Sequence, residues 1–402
     1  MRNLWAVGRV GPVMAPALHL AVALDGTGWH PSAWREDDAR PDALFTAAYW
    51  ADLVTEAERG LLDLVTIDDT LGLPSDARVD QVRGRLDAVL VAARVAPLTR
   101  RIGIVPTQVV THTEPFHASK AIATLDYVST GRAGLQVRVS TRPDEAALFG
   151  RRTIAPIRLD EPTTPALAEL FDEAADYVEA VRRLWDSWED DAEIRDAATG
   201  RFVDRHKLHY IDFTGPFFSV RGPSITPRPP QGQPLVAALA HRDVAYRLIG
   251  RSSDLGFVTP GDRSDIARIL TEIRGEQAAA GRADQPVHVL GDLVVFLDDE
   301  AAAATDRLAR LDGRLGQPYR SDAVVFAGTS TDLADLVLEW HAAGLSGVRL
   351  RPGALPHDLR QITRGLVPEL QRRGVYRTAY EADTLRGLFG LPRPANRYAL
   401  RS

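Results

Sequence analysis

Eight short, apolar, β-rich runs alternate with longer segments of helical period along the 402 residues, and this pattern predicts an α/β fold, a (β/α)8 TIM barrel. Eight is the number of strands a closed barrel needs. The chain is longer than the ~250 residues of a bare barrel, so insertions must account for the surplus. Hydrophobic residues make up 45% of the chain, enough to fill one continuous core. Residues 1–402 are therefore read as one barrel domain, with insertions at about 142–165 and 189–233 and a C-terminal extension over 353–402.

The elements follow in order. Leu18–Leu24 is the first strand and Ala43–Glu58 the first helix. Leu62–Ile67 is the second strand and runs into Asp68-Asp69-Thr70. Leu86–Ala96 is helical, and Arg101–Val110 is a strand interrupted by Pro106. A helix begins at Pro115, a residue suited to a first turn because it needs no hydrogen-bond acceptor there. Gly131-Arg132-Ala133-Gly134 then turns the chain into the strand Leu135–Ser140. Ala166–Trp188 is an amphipathic helix with Leu170, Ala174, Tyr177, Val181 and Leu184 on one stripe. Strands recur at Leu235–Ala240, Leu255–Thr259, Val287–Leu297 and Gly347–Leu350.

Three regions break the alternation. Arg142–Pro165 is proline-rich, Glu189–Gln233 holds a hairpin over Tyr210–Val220 followed by four prolines, and Gly353–Ser402 extends the C terminus. Segments this long in a compact domain commonly serve as lids or binding loops, and both internal ones are expected to cover the site.

Composition removes several function classes. A net charge of −6 argues against nucleic-acid and anionic-membrane partners, which need concentrated basic surface. The absence of cysteine excludes thiol nucleophiles, disulfides, iron–sulfur clusters and thiolate zinc sites. Lys120 and Lys207 are the only lysines, which restricts lysine chemistry to two positions. No run approaches the ~18 apolar residues of a membrane span, and Met1–Ala15 lacks the apolar stretch of a signal peptide, so a cytoplasmic location is expected. No G-x-G-x-x-G follows a strand, and no P-loop, H-E-x-x-H or G-x-S-x-G occurs. The pairs His112/His117 and His206/His209 lack a third ligand nearby, and no metal site is expected.

Barrel active sites form at the C-terminal ends of the strands. Asp68, Asp69 and Thr70 lie there on the second strand, Thr107 and Gln108 on the third, and His241, Arg242 and Asp243 after the fifth. Gln136 and Arg138 share strand parity on the fourth and point to one side. Asp69 either caps a local turn or faces a ligand. Arg138 either joins a structural ion network or binds a substrate. His241-Arg242 either starts a solvated helix or holds an anion beside backbone N–H groups.

Several stretches resemble the bacterial luciferase-like flavin-dependent monooxygenase superfamily. Leu61–Leu71 resembles its second-strand motif, Arg101–Val105 with Thr107 and Glu114–His117 its third strand and following helix, and Leu125–Gly134 the approach to its fourth strand. Leu184–Asp191, Phe218–Pro223, Val367–Gly374, Arg377-Thr378 and Thr384–Arg386 are similar to the nitrilotriacetate and dibenzothiophene-sulfone monooxygenase branch. The resemblance runs from about Leu18 to Pro392.

That resemblance implies a barrel that takes reduced flavin mononucleotide (FMN) from a separate flavin reductase, uses dioxygen to oxygenate a small organic substrate, and assembles as a homodimer or tetramer. It implies flavin contacts from Asp69 and Thr107. Three positions depart from the family pattern. The fourth strand reads Leu135-Gln136-Val137-Arg138-Val139-Ser140 instead of Trp-Asn-Val-Val-Thr-Ser. Phe171 stands where a tyrosine is usual. Ala240-His241-Arg242-Asp243 replaces a Gly-Ser-Ser phosphate loop. Gln136 then stands in for the asparagine near the ring, His241 and Arg242 are the candidates for the phosphate, and Arg138 and His112 are the candidates for binding an anionic or polar substrate or handling protons. A deazaflavin-dependent oxidoreductase and a non-catalytic barrel with a degraded flavin site are the alternatives.

Overall fold

In the computed structural model, residues 17–73, 78–158 and 162–399 are described. Eight parallel strands close on themselves: β1 (His19–Leu24), β2 (Leu64–Ile67), β3 (Gly103–Val109), β4 (Gly134–Arg138), β5 (Leu235–Ala240), β6 (Leu255–Val258), β7 (His288–Leu297) and β8 (Gly347–Pro352). Each pairs with the next, and β8 pairs with β1 to complete the circuit. The eight predicted strands are these eight. Pro106 does not end β3: it pairs with Ile67 of β2, and the register with the fourth strand holds on both sides of it, with Ile104 opposite Ala133 and Thr107 opposite Gln136, so its missing N–H costs that ladder one bond. A further strand, Val324–Gly328, pairs with the outer half of β7 beyond the point where β6 stops. The prediction on Met1–Ala15 lies outside the described residues.

The outer helices are α1 (Ala47–Arg59), α2 (Ala88–Val95), α3 (Pro115–Val128), α4 (Pro143–Phe149), α5 (Pro165–Asp186), α6 (Asp243–Ser252), α7 (Arg263–Ala279), α8 (Ala301–Leu315) and α9 (Ser330–Ala342). Their starts are set locally. Thr164 accepts from the Leu167 N–H ahead of Pro165 in α5, and Thr329 with Asp332 forms a reciprocal capping box at α9. Among the described residues no helix is long and apolar enough to cross a membrane.

The barrel interior is layered. Ala21, Leu64, Val105, Leu235, Phe257 and Leu290 fill its lower half, and Leu385, Leu388 and Phe389 of the C-terminal extension close the N-terminal end beneath them. His19 stacks on Phe389 with ring centroids 4.3 Å apart, and His288 meets the same ring edge-on at 5.2 Å. Burial, with the neighbouring His19 adding to it, pushes the His288 imidazole down to about 4. Between pH 6.5 and 4 the unfolded chain therefore binds a proton at this residue that the folded chain does not, so acid lowers stability there. Unfolding midpoints in urea across that range should fall less steeply for His288→Asn than for the parent; parallel slopes would remove His288 from the acid response.

The second insertion, 189–233, sits at the N-terminal end of the barrel and not over its mouth. Gln231 bonds the Asp126 carboxylate and the Ala133 carbonyl, Arg228 bonds Asp186 and Asp190, and Trp188 donates to the Ser224 carbonyl. The expected lid role of this segment is corrected by topology: α5 carries the chain from the mouth back to the bottom, so whatever follows it emerges there.

Candidate active site

At the C-terminal ends of the strands a cavity of about 830 Å³ opens, a size suited to a cofactor. Its apolar wall comes from Val139, Leu167, Phe171, Leu239, Ala245 and Leu248. Its polar wall includes Gln136, Arg138, Ser140, His241, Arg242 and Asp322. A second cavity, of about 910 Å³, lies beside it towards the β1 and β2 loops, and the two share Trp29, Asp68, Arg138 and Arg142.

Beneath the mouth lies an ion network that the sequence reading did not identify. Asp292 on β7 is fully buried and accepts from Arg349 Nε and Arg351 Nε, each at 2.8 Å. Arg349 also donates to Gln136 Oε1 at 2.7 Å and lies over the Phe257 ring at 3.8 Å. Arg351 donates to Asp322 at 2.6 Å and lies over the Trp29 ring at 4.6 Å. Trp29 is fixed further by its indole N–H on the Ala23 carbonyl, 3.0 Å away. Two signals in the sequence mark this network. Arg349 and Arg351 alternate with Val348 and Leu350, so both share the inward parity of β8, and Asp292 is the lone charge in the apolar run of β7. A charge in such a run needs a buried partner.

The predicted site residues separate into two groups. Gln136, Arg138, His241 and Arg242 all line the first cavity. Thr107 lies in register with Gln136 on the neighbouring strand, and its buried hydroxyl has no hydrogen-bond partner among the described residues. The other two lie behind the wall. The Asp69 carboxylate accepts from the Thr70 and Ala88 N–H groups at 2.8 and 3.0 Å, so it fixes the loop into α2, while Asp68 is the one that lines both cavities. Burial raises the Asp69 carboxyl against those two N–H donors. His112 stacks on Phe149 of α4, with burial and then Arg152 pushing its imidazole down.

Arg138 uses one nitrogen. Nη1 donates to both Asp68 oxygens at 3.2 and 3.1 Å and to the Asp69 carbonyl at 2.7 Å. His241 uses both ring nitrogens, Nδ1 with the Thr259 hydroxyl at 2.9 Å and Nε2 with Asp322 at 3.2 Å. Burial lowers the His241 pKa despite Asp322, which favours the neutral ring. Arg242 is the residue that caps the start of α6, its Nε 3.7 Å from the Asp243 carboxylate, while the Val244 N–H is taken by Asp243 and the Ala245 N–H by the Arg242 carbonyl.

Described residues of the first insertion, among them Arg142, Glu145 and Pro162, line this mouth. Glu145 of α4 accepts from the Thr70 hydroxyl and, at 3.1 Å, from the Gly72 N–H, tying the insertion to the loop after β2. Burial alone would raise the Glu145 carboxyl, but bonds from Ser140, Thr70 and Gly72 overcome it and hold it ionised. Arg152 pairs with Glu173 of α5 at 2.7 Å and anchors the other side.

The donor set fits a flavin. An apolar slot faces Phe171 and Leu239, Gln136 offers its amide to a ring edge with the buried, unsatisfied Thr107 hydroxyl beside it on the neighbouring strand, and Arg242 at the start of α6 supplies a cation suited to a phosphate. Among the described residues no group of three or more His, Asp or Glu is placed to hold a metal ion.

The family model described as luciferase-like monooxygenase matches residues 27–346. The chain is 30% identical to the N-acetyl-S-(2-succino)cysteine monooxygenase of Bacillus subtilis (strain 168), over 95% of this chain and 98% of that protein. It is 28% identical to nitrilotriacetate monooxygenase component A of Aminobacter aminovorans, again over 95% and 98%. The structure of an EDTA monooxygenase from Chelativorans sp. BNC1 shares the fold, with a TM-score of 0.80 at 23% identity over 94% of this chain and 99% of that one.

Proposed function

The chain belongs to the luciferase-like monooxygenase family and is a flavin-dependent monooxygenase, and from that premise we propose that it binds reduced FMN in the cavity walled by Phe171 and Leu239 and oxygenates a small organic substrate there. The observation that carries the flavin placement is the convergence of an apolar slot with Gln136 and with Arg242 at the start of α6, and the unsatisfied Thr107 hydroxyl beside Gln136 supports it. A separate flavin reductase supplies the reduced cofactor, a reading that the "component A" in the name of the nitrilotriacetate relative supports. A cytoplasmic setting and a homodimeric or tetrameric assembly complete the proposal.

When bound, reduced flavin supplies the electrons with which dioxygen is activated. The protein's own residues do the rest. Thr107 and Gln136 orient the ring, with Gln136 held in place by Arg349. Arg242, at the start of α6, takes the phosphate. His241 acts as a positioning residue in the cavity wall, its two ring nitrogens meeting Thr259 and Asp322. Asp69 acts through the loop it caps and His112 through α4, while Arg138 faces the reacting atoms. The α4 lid, latched by Glu145, excludes water from the mouth, which a reactive oxygenating site requires.

Thr107→Val keeps the shape and removes the hydroxyl. A hydrogen bond of about 0.5–1.5 kcal/mol predicts anaerobic reduced-FMN binding weakened roughly 2- to 12-fold. Unchanged affinity in the variant would exclude Thr107 from the flavin contacts.

A further inference from the structure

The second cavity is not needed for the flavin, and its walls differ from those of the first. Trp29, Leu44, Phe45, Trp50, Leu86 and Leu148 line it, and Trp50 is fixed by its indole N–H on the Leu44 carbonyl at 3.1 Å. Four large apolar side chains that are otherwise exposed converge on it: Phe45, Leu73, Leu86 and Leu148, at 55%, 61%, 36% and 67% exposure. Apolar surface concentrated at one opening marks a binding site more than scattered surface does.

Its charges do not cancel. Arg85 pairs with Asp25 at 2.8 Å, Arg142 pairs with Asp144, and Asp68 is shared between Arg85 at 3.4 Å and Arg138 at 3.1 Å. Arg83 is exposed at the outer rim. At the inner end, Arg138 is held through Nη1 alone, and its Nε and Nη2 make no hydrogen bond among the described residues. Burial pushes the Asp25 carboxyl up, which weakens the acidic side of the balance further. Arg138 also lines the flavin cavity, so a group anchored on it sits at the junction of the two chambers.

We propose that this second cavity is the substrate chamber and that it takes a compact apolar, aromatic-sized molecule with a single anionic group, carboxylate or sulfonate, bound by the free edge of Arg138. The proposal rests on the flavin occupying the first cavity. A second anionic group on the same molecule would meet Asp25, Asp68 or Asp144 and is disfavoured.

The test uses 2-naphthoate, 2-naphthamide and naphthalene-2,6-dicarboxylate as probes, titrated calorimetrically into the flavin-free protein, into Arg138→Met and into Leu148→Trp. The expected result is naphthoate binding at least about 10-fold tighter than either other probe, as a charge-assisted bond implies. Arg138→Met should abolish that preference and leave the amide unchanged. Leu148→Trp, at an exposed position that does not threaten folding, should weaken naphthoate and naphthamide alike by filling the chamber. Reduced FMN, titrated in parallel, should bind with naphthoate present. Equal binding of acid and amide, naphthoate affinity unmoved by both variants, no probe binding at millimolar concentration, or competition between naphthoate and reduced FMN would each overturn the proposal. Naphthoate binding as expected in a protein that fails to bind reduced FMN would support the chamber and count against the flavin placement.

Discussion

Asp292→Ala is expected to be the most destabilising single substitution in the barrel. The carboxylate is fully buried and holds both Arg349 and Arg351, which are themselves almost fully buried. Removing it leaves two guanidiniums in the interior, with Asp322 at the rim as the remaining acidic partner of Arg351. Breaking a buried ion pair from one side costs about 3–5 kcal/mol, a large fraction of the ~5–15 kcal/mol by which a folded domain exceeds its unfolded state. For a chain of this length that corresponds to a fall in Tm of roughly 5 °C, or to loss of folded protein. The double variant Asp292→Ala/Arg349→Met should lose less than the sum of the two single variants, because the two groups are coupled. Additive losses would show that the network is not the unit that the distances describe. The flavin cavity stands on this network, since Gln136 is oriented by Arg349 and Trp29 by Arg351.

Arg242→Ala should have the largest effect on the cofactor. A charge-assisted hydrogen bond of about 1.5–3 kcal/mol to a phosphate predicts affinity for reduced FMN lower by roughly 10- to 150-fold. His241→Ala should cost much less, although it is the adjacent residue and equally polar. Its ring is committed to Thr259 and Asp322 and is held neutral by burial. The order of the two variants is therefore diagnostic. A larger loss for His241→Ala would move the phosphate to the imidazole side and would require Asp322 to turn away.

The alternation of apolar runs and helical period makes every barrel strand legible in the sequence, because each buried parallel strand is a short apolar block. Val324–Gly328 escapes that reading. It is five residues long and pairs only with the outer part of β7, so it adds nothing to the count that closes the barrel. The helix Pro143–Phe149 is likewise hidden in a stretch whose prolines suggest irregular backbone, although Pro143 stands in the first turn, where proline is tolerated.

In the site, strand parity and the rule that function sits at the C-terminal strand ends point to Gln136, Arg138, His241 and Arg242, which all line the cavity. The same rules cannot distinguish Asp68 from Asp69. Consecutive residues leaving a strand face opposite sides, and only the structure shows Asp68 turned to the cavities and Asp69 turned to the N–H groups of Thr70 and Ala88. The position of 189–233 is a matter of connectivity more than composition: a segment that follows a helix and precedes a strand belongs to the bottom of the barrel. Asp322 lies in the short irregular stretch between α8 and the strand Val324–Gly328, and its role depends wholly on what Arg351 and His241 bring to it.

The most direct test of the flavin site is an anaerobic titration of reduced FMN into the purified protein, with Arg242→Ala and Leu148→Trp measured beside it. The predicted result is saturable binding to the parent protein, weakened at least about 10-fold by Arg242→Ala and unaltered by Leu148→Trp, which lies in the other chamber. Folded parent protein that shows no saturable binding of reduced FMN would contradict the placement of the cofactor at this mouth.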